Sequence, residues 1–156
     1  MAEQRLRAYV DTSVFGGCFD SKFELASRRL FGRFRSGEYV LVISDVTVRE
    51  LESAPDAVQE VLRQVPLANM ERWPISAEAE QLAERYLAEG VIPKRLWFDA
   101  QHIALATLSR VDVLVSWNFK HMVNFQRVRG YNAVNSRLGY PPIEIRTPQE
   151  VGAYED

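Results

Sequence analysis

The chain has 156 residues, with 19 Lys and Arg against 21 Asp and Glu, a formal net charge of -2 and 47% hydrophobic residues. That composition is ordinary for a globular protein and excludes a disordered chain, a coiled coil or a collagen-like fibre. At this length one core buries roughly 70% of the surface an unfolded chain exposes, so a single domain over 1–156 needs no staple, and the lone Cys18 with two histidines offers neither a disulfide nor a zinc site.

The first seven residues, Met1-Ala2-Glu3-Gln4-Arg5-Leu6-Arg7, lack the apolar run of a signal peptide, and no later stretch is apolar enough to span a bilayer. The expectation is a cytoplasmic protein without membrane contact. Leu6 to Val10 is β-prone and apolar and stops at Asp11-Thr12-Ser13, so it predicts a buried strand ending in a polar turn. Apolar residues at helical spacing from Phe23 to Phe34 predict a helix that Ser36-Gly37 ends. Tyr39 to Ile43 is uncharged and β-rich, as a strand covered on both faces should be. Ser44-Asp45 then supplies caps for a helix through Val46, Val48 and Leu51.

Helices are predicted from Asp56 to Gln64, from Ala77 to Ala88 and from Phe98 to Leu108, followed by a strand from Val111 to Val115. A helical stretch broken near Gly130, a last strand at Ile143 to Ile145 and a short helix led by Pro148 complete the chain. Strands separated by helices imply right-handed parallel crossovers, hence a three-layer α/β helix-sheet-helix sandwich with a mostly parallel central sheet. Ligands of such sheets bind beyond the carboxyl ends of the strands, which makes the polar residues there the functional question.

Charge is uneven along the chain. Asp45 to Glu89 holds ten acids against four arginines, whereas Val113 to Ile143 holds Lys120, Arg127, Arg129 and Arg137 and no acid. Arg28, Arg29, Arg33 and Arg35 form a second basic group and Lys94-Arg95 a third. A near-neutral total excludes tight binding of nucleic acid by charge alone, but it permits local basic patches.

At the strand ends, Asp11 follows the first strand, Ser116 and Asn118 follow the strand at Val111 to Val115, Glu50 lies beyond the second strand, and Asp99 lies in the first turns of a helix. Each acid alone has a structural explanation: capping for Asp11, a solvated helix face for Glu50 and the helix dipole for Asp99. Together, oxygen-bearing side chains from four separate segments come near one sheet edge, a donor set that suits Mg²⁺ or Mn²⁺. Carboxylates so close raise one another's pKa unless a cation relieves them. His102, one helical turn past Asp99, reads as a hydrogen-bonded core residue, while Trp117 and Phe119 divide between core packing and stacking on a splayed base. Lys120 and His121 are candidate phosphate contacts.

The segments Tyr9-Val10-Asp11-Thr12-Ser13-Val14-Phe15, Ser44-Asp45-Val46-Thr47-Val48-Arg49-Glu50-Leu51, Asp99-Ala100-Gln101-His102-Ile103-Ala104-Leu105-Ala106 and Leu114-Val115-Ser116-Trp117-Asn118-Phe119-Lys120-His121 resemble, in order, the motifs of the PIN-domain ribonucleases. That family includes the toxin component of many toxin-antitoxin pairs. The resemblance implies that Asp11, Glu50 and Asp99 are the catalytic carboxylates and hold Mg²⁺ or Mn²⁺, with Asn118 at a fourth metal position and Ser13 and Ser116 as hydroxyls orienting a water or a carboxylate. Many relatives have an acid where this chain has Asn118, a neutral and weaker ligand. The implied activity is endonucleolytic hydrolysis of RNA, and the implied partners are RNA, an antitoxin and a second copy of the chain. The alternative is a PIN-like module that binds RNA or protein without cutting, which Asn118 favours and the three acids oppose. An aspartate-nucleophile phosphatase is excluded because Ser13 stands where its second Asp is needed, and Gly16-Gly17 lacks the rest of a phosphate loop.

Overall fold

Alternation along the central strand decides the layering. In the computed structural model, which describes residues 4–152, β1 (Leu6–Val10) buries Ala8 and Val10 on one face and Tyr9 on the other. β2 (Tyr39–Ser44) and β4 (Val113–Val115) lie parallel on either side of β1, with Tyr9 in register with Val42 and Leu114. β3 (Met70–Trp73) and β5 (Ile145–Arg146) complete the sheet in the order β3-β2-β1-β4-β5, and every described pairing is parallel.

Two cores result. Ala8, Val10, Leu41, Ile43, Val113 and Val115 pack on one face against Val14 and Phe15 of α1 (Thr12–Gly17), Leu30, Phe31 and Phe34 of α2 (Glu24–Ser36), Leu51 of α3 (Asp45–Glu52) and Val61 of α4 (Asp56–Arg63). Tyr9, Val40, Val42, Leu114 and Ile145 pack on the other against α5 (Ala77–Ala88), α6 (Trp97–Leu108) and α7 (Phe125–Arg137). The closing α8 (Pro148–Gly152) lies against α2, where Gly152 approaches Leu30 so closely that a Cβ would sit 3.3 Å from its Cα. No helix among the described residues is long and apolar enough to cross a membrane.

The structure adds to and corrects the predicted elements. β3 has no apolar run to announce it: Met-Glu-Arg-Trp is a half-exposed edge whose charges find partners, Glu71 accepting from Arg7 Nη2 at 2.7 Å and Arg72 pairing with Asp45 at 2.9 Å. Short charged edges of this kind discourage pairing with a second sheet. α7 runs unbroken through Gly130, because this glycine serves close packing and not a turn. A Cβ there would meet Val91 Cγ1 at 2.7 Å. β4 begins two residues later than predicted, since the Asp112 side chain accepts the Arg7 amide at 2.8 Å and the preceding Arg110 turns the chain with a φ of 56°. The last strand is displaced to Ile145–Arg146, where Leu114 and Val115 set its register.

Candidate active site

Parallel strands end on the same edge, so Asp11 after β1, Ser44 at the end of β2 and Ser116 after β4 are neighbours by topology. The Asp11 carboxylate is 4% exposed and held from both sides. Ser13 donates to its Oδ1 at 2.6 Å and Ser116 to its Oδ2 at 2.8 Å. The two hydroxyls also accept from the following loop, Ser13 Oγ from the Trp117 amide at 3.0 Å and Ser116 Oγ from the Asn118 amide at 2.9 Å. A carboxylate clamped through both oxygens keeps one orientation, because each rotamer change would break two bonds.

Glu50 comes from α3 and meets α6. Its Oε1 lies 2.5 Å from His102 Nε2 and accepts from Thr12 Oγ1 at 3.3 Å. His102 is buried, and its other ring nitrogen lies 2.7 Å from the Tyr9 hydroxyl, which lies 2.7 Å from Ser44 Oγ. In the neutral tautomer that satisfies this chain, Nε2–H donates to Glu50 and Nδ1 accepts from Tyr9. Read from sequence as a core residue, His102 is therefore also the buried support of a candidate catalytic acid. Spacing put it one turn from Asp99, but only the packing of α3 on α6 brings Glu50 to it. Replacing His102 by Leu strands both Glu50 and Tyr9, and we expect a loss of about 2–4 kcal/mol in urea unfolding. Tyr9→Phe, which removes the hydroxyl between His102 Nδ1 and Ser44 Oγ and leaves Glu50 paired, should also lose stability, by about 1–3 kcal/mol. Equal stability of both variants and the parent would show that the chain of bonds carries no weight.

Asp99, in the first turn of α6, shares the site without a hydroxyl clamp. Burial, opposed by His102 and reinforced by the charges of Asp11 and Glu50, pushes its carboxyl up from 3.8 to about 6. Burial likewise raises Asp11, against the pull of Ser13, His102 and Ser116 and with a further push from Glu50. The acids are thus near enough to repel one another, which is the situation a cation relieves. Among the described residues no three His, Cys, Asp or Glu side chains close into a ready-made ligand group. The donors instead suit a hydrated hard ion that keeps several waters and needs only a pair of carboxylates.

Asn118 presents its amide nitrogen to Asp99 Oδ2 at 3.5 Å, while its Oδ1 accepts the His121 amide at 3.0 Å. The oxygen expected at a fourth metal position thus already accepts one backbone bond, with a second lone pair left. His121 is buried, not a surface phosphate contact: its carbonyl accepts from Tyr131 at 2.8 Å, and its Nδ1 has no partner among the described residues. Burial and then the charges of Arg127, Lys120 and Arg95 hold it below its usual pKa, so it is neutral and lies beside a cluster of three cations. Lys120 is exposed at that cluster. Basic residues separated in sequence thus act together on His121.

Comparison with known proteins places this arrangement. No curated protein matches the sequence. Among solved structures, the chain is similar to VapC20 of Mycobacterium tuberculosis, described as a Sarcin-Ricin loop cleaving toxin, at a TM-score of 0.57 and 14% identity, covering 88% of this chain and 98% of that one. It is also similar to VapBC2 of Rickettsia felis, solved bound to a DNA fragment from the promoter, at 0.55 and 13%, covering 91% and 98%. At such identities the likeness is one of fold. The family model described as PIN domain matches residues 8–121, a span that runs from β1 through the loop after β4 and contains Asp11, Glu50, Asp99 and Asn118. The chain belongs to the PIN-domain family.

Proposed function

We propose that this PIN domain is an Mg²⁺- or Mn²⁺-dependent endoribonuclease and the toxin of a toxin-antitoxin pair. The observation that carries the reading is the convergence of Asp11, Glu50 and Asp99 on the carboxyl edge of the sheet, with Asp99 pushed to about 6 by burial and by its acidic neighbours. A bound divalent cation would neutralise phosphate charge and acidify a water at this edge. Asp11 and Asp99 are the carboxylates that would hold it, and the seryl clamp keeps Asp11 aimed. Glu50 has one oxygen tied to His102 and Thr12, which leaves Oε2 to take a proton from an attacking water. Asn118 donates toward Asp99 and so adds no fourth negative charge. Lys120, exposed just past Asn118, would meet a phosphate.

The partner reading rests on the fold shared with VapC20 and VapBC2. Expression of the chain alone should arrest growth, and Asp11→Ala should abolish the arrest; growth unaffected by the parent protein would count against a toxin. For the activity, purified protein should cut single-stranded RNA with Mg²⁺ or Mn²⁺ present and stop with EDTA.

A second reading, a PIN domain that binds RNA without cutting it, is favoured by the amide at position 118. The variant Asn118→Asp separates the two. An aspartate keeps the acceptor for the His121 amide but turns a second oxygen toward Asp99, so the metal-free protein should lose about 1 kcal/mol. Calorimetry should show the same variant binding Mn²⁺ about tenfold more tightly, since each added carboxylate strengthens a hard-cation site. Unchanged metal affinity would mean that position 118 does not face the ion.

A further inference from the structure

The loop after β4 leans on α2. Phe23 and Trp117 stack with ring centroids 4.3 Å apart and planes 22° from parallel, and Phe119 closes the group at 6.1 Å from Trp117 and 6.3 Å from Phe23. Trp117 is fixed: its Nε1 donates to Ser27 Oγ at 2.8 Å, and it passes so near Gly17 that a Cβ there would sit 2.8 Å from Nε1. Phe119 is 52% exposed. Beside the rings lies a cavity of about 610 Å³ lined by Lys22, Phe23, Leu25, Arg29, Trp117 and Phe119 among others, with no acid in its wall. That volume is within the range of clefts that hold small ligands. Lys22 lies 5.5 Å from the centre of the Phe23 ring, and neither Lys22 nor Arg29 is ion-paired among the described residues.

We propose that this cavity is the site of an unpaired nucleobase of a single-stranded RNA, stacked on Phe119 and the edge of Trp117, with Lys22 and Arg29 on the flanking phosphates. Three observations favour nucleic acid over a protein segment. An aromatic floor offers a flat face to any base, which makes stacking tolerant of sequence. The uncompensated charges at the rim are both positive, as an anionic backbone requires. The floor is continuous with the acids, because the Trp117 amide donates to the same Ser13 hydroxyl that clamps Asp11. A strand whose base lies in the cavity would run on toward the carboxylates. The inference rests on the nuclease reading for its substrate class, and it implies that the enzyme requires an unstacked nucleotide next to the bond it cuts.

The test is fluorescence anisotropy in EDTA, with the full chain and a labelled single-stranded oligoribonucleotide of about ten nucleotides, compared with the same strand annealed into a duplex. Phe119→Ala should weaken single-strand binding roughly 5- to 100-fold and leave the weak duplex binding unchanged. Phe119→Trp should restore it. Lys22→Ala should lower the slope of log affinity against log salt by about one, which Phe119→Ala should not do. Phe119→Ala with unaltered single-strand affinity overturns the proposal, and so does a variant that keeps RNA binding while losing a bound protein partner. The two readings fail separately. RNA bound through Phe119 but never cut with metal present sinks the nuclease and keeps the base site. RNA cut in an Asp11-dependent manner, with Phe119→Ala indifferent in both binding and rate, sinks the base site alone.

Discussion

Asp11→Asn should reduce cleavage of single-stranded RNA by about 10²–10³-fold or more, while the purified variant remains folded. The size follows from what the side chain does. Removing one preorganised electrostatic group from a buried site typically lowers the rate by that factor, and here the lost charge is also half of the carboxylate pair that would hold the cation. The fold should survive because asparagine is nearly isosteric. Its Oδ1 can still accept from one of Ser13 and Ser116, and the other hydroxyl can rotate to accept from the new amide. Without metal the variant should even gain some stability, since burial and the charge of Glu50 already push Asp11 toward its protonated form. Cleavage rates measured beside thermal unfolding in EDTA check both halves. An active Asp11→Asn would remove the site from Asp11, and an unfolded one would show that the clamp matters more to the fold than to the chemistry.

Metal and pH should trade against each other in stability. Asp99 titrates near 3.8 in an unfolded chain and at about 6 in the native site. Between those values the native state holds more protons than the unfolded one, so the stability of metal-free protein falls as pH rises from about 4 to about 6 and then levels. Allowing for the solvent that reaches this partly exposed side chain, the fall attributable to Asp99 is about 1–2 kcal/mol. Asp11, shifted in the same direction, adds to it. A divalent cation binds the ionised form and reverses the trend. At neutral pH, Mn²⁺ at 100 times its dissociation constant should stabilise by about 2.7 kcal/mol, or roughly 5–10 °C for a chain of this size. Asp99→Asn should abolish most of both effects. A melting temperature indifferent to Mg²⁺ and Mn²⁺ at pH 7 would falsify the metal site, whatever the activity of the preparation.

These expectations bear on how the sheet edge works. Its acids differ in support: Asp11 is clamped by two hydroxyls, Glu50 is tied to a buried histidine, and Asp99 has only the Asn118 amide at 3.5 Å. Burial raises the least supported of them, Asp99, to about 6, and no hydroxyl donor is among the groups that act on its carboxyl to stabilise the ionised form. The charge state of Asp99 should therefore respond to what binds beside it.

Much of this was legible in the residues alone. The strands β1 and β2 are continuous apolar runs because both of their faces are covered, and such runs can be recognised without knowing what covers them. The polar residues that stop them, Asp11 and Ser44, must lie at the edge of a parallel sheet, so the location of the site followed from pattern and connectivity. The edge strand β3 was not legible. Its Glu71 and Arg72 find partners in Arg7 and Asp45 from distant parts of the chain, and only those contacts make a charged tetrapeptide a strand. Gly130 shows the same limit, since a helix interrupted by glycine and a helix packed through glycine look alike until Val91 is placed against it.

At the site the division is sharper. Sequence order alone determined which side chains gather at the carboxyl edge, because parallel topology sends every strand end to one side. Tertiary structure decided what each of them faces. It set the Asn118 amide beside Asp99, buried His121, tied His102 to Glu50 across α3 and α6, and set Phe23, which precedes α2, against Trp117 and Phe119. The physical reason is that periodicity reports which face of an element is apolar, whereas orientation within a site is set by hydrogen bonds and ring contacts between residues 19 to 105 positions apart. The near-neutral charge of the chain illustrates the point. A net -2 is compatible with an RNA site because Asp11 is buried, Glu50 and Asp99 are half-buried, and Lys22, Arg29 and Lys120 are exposed.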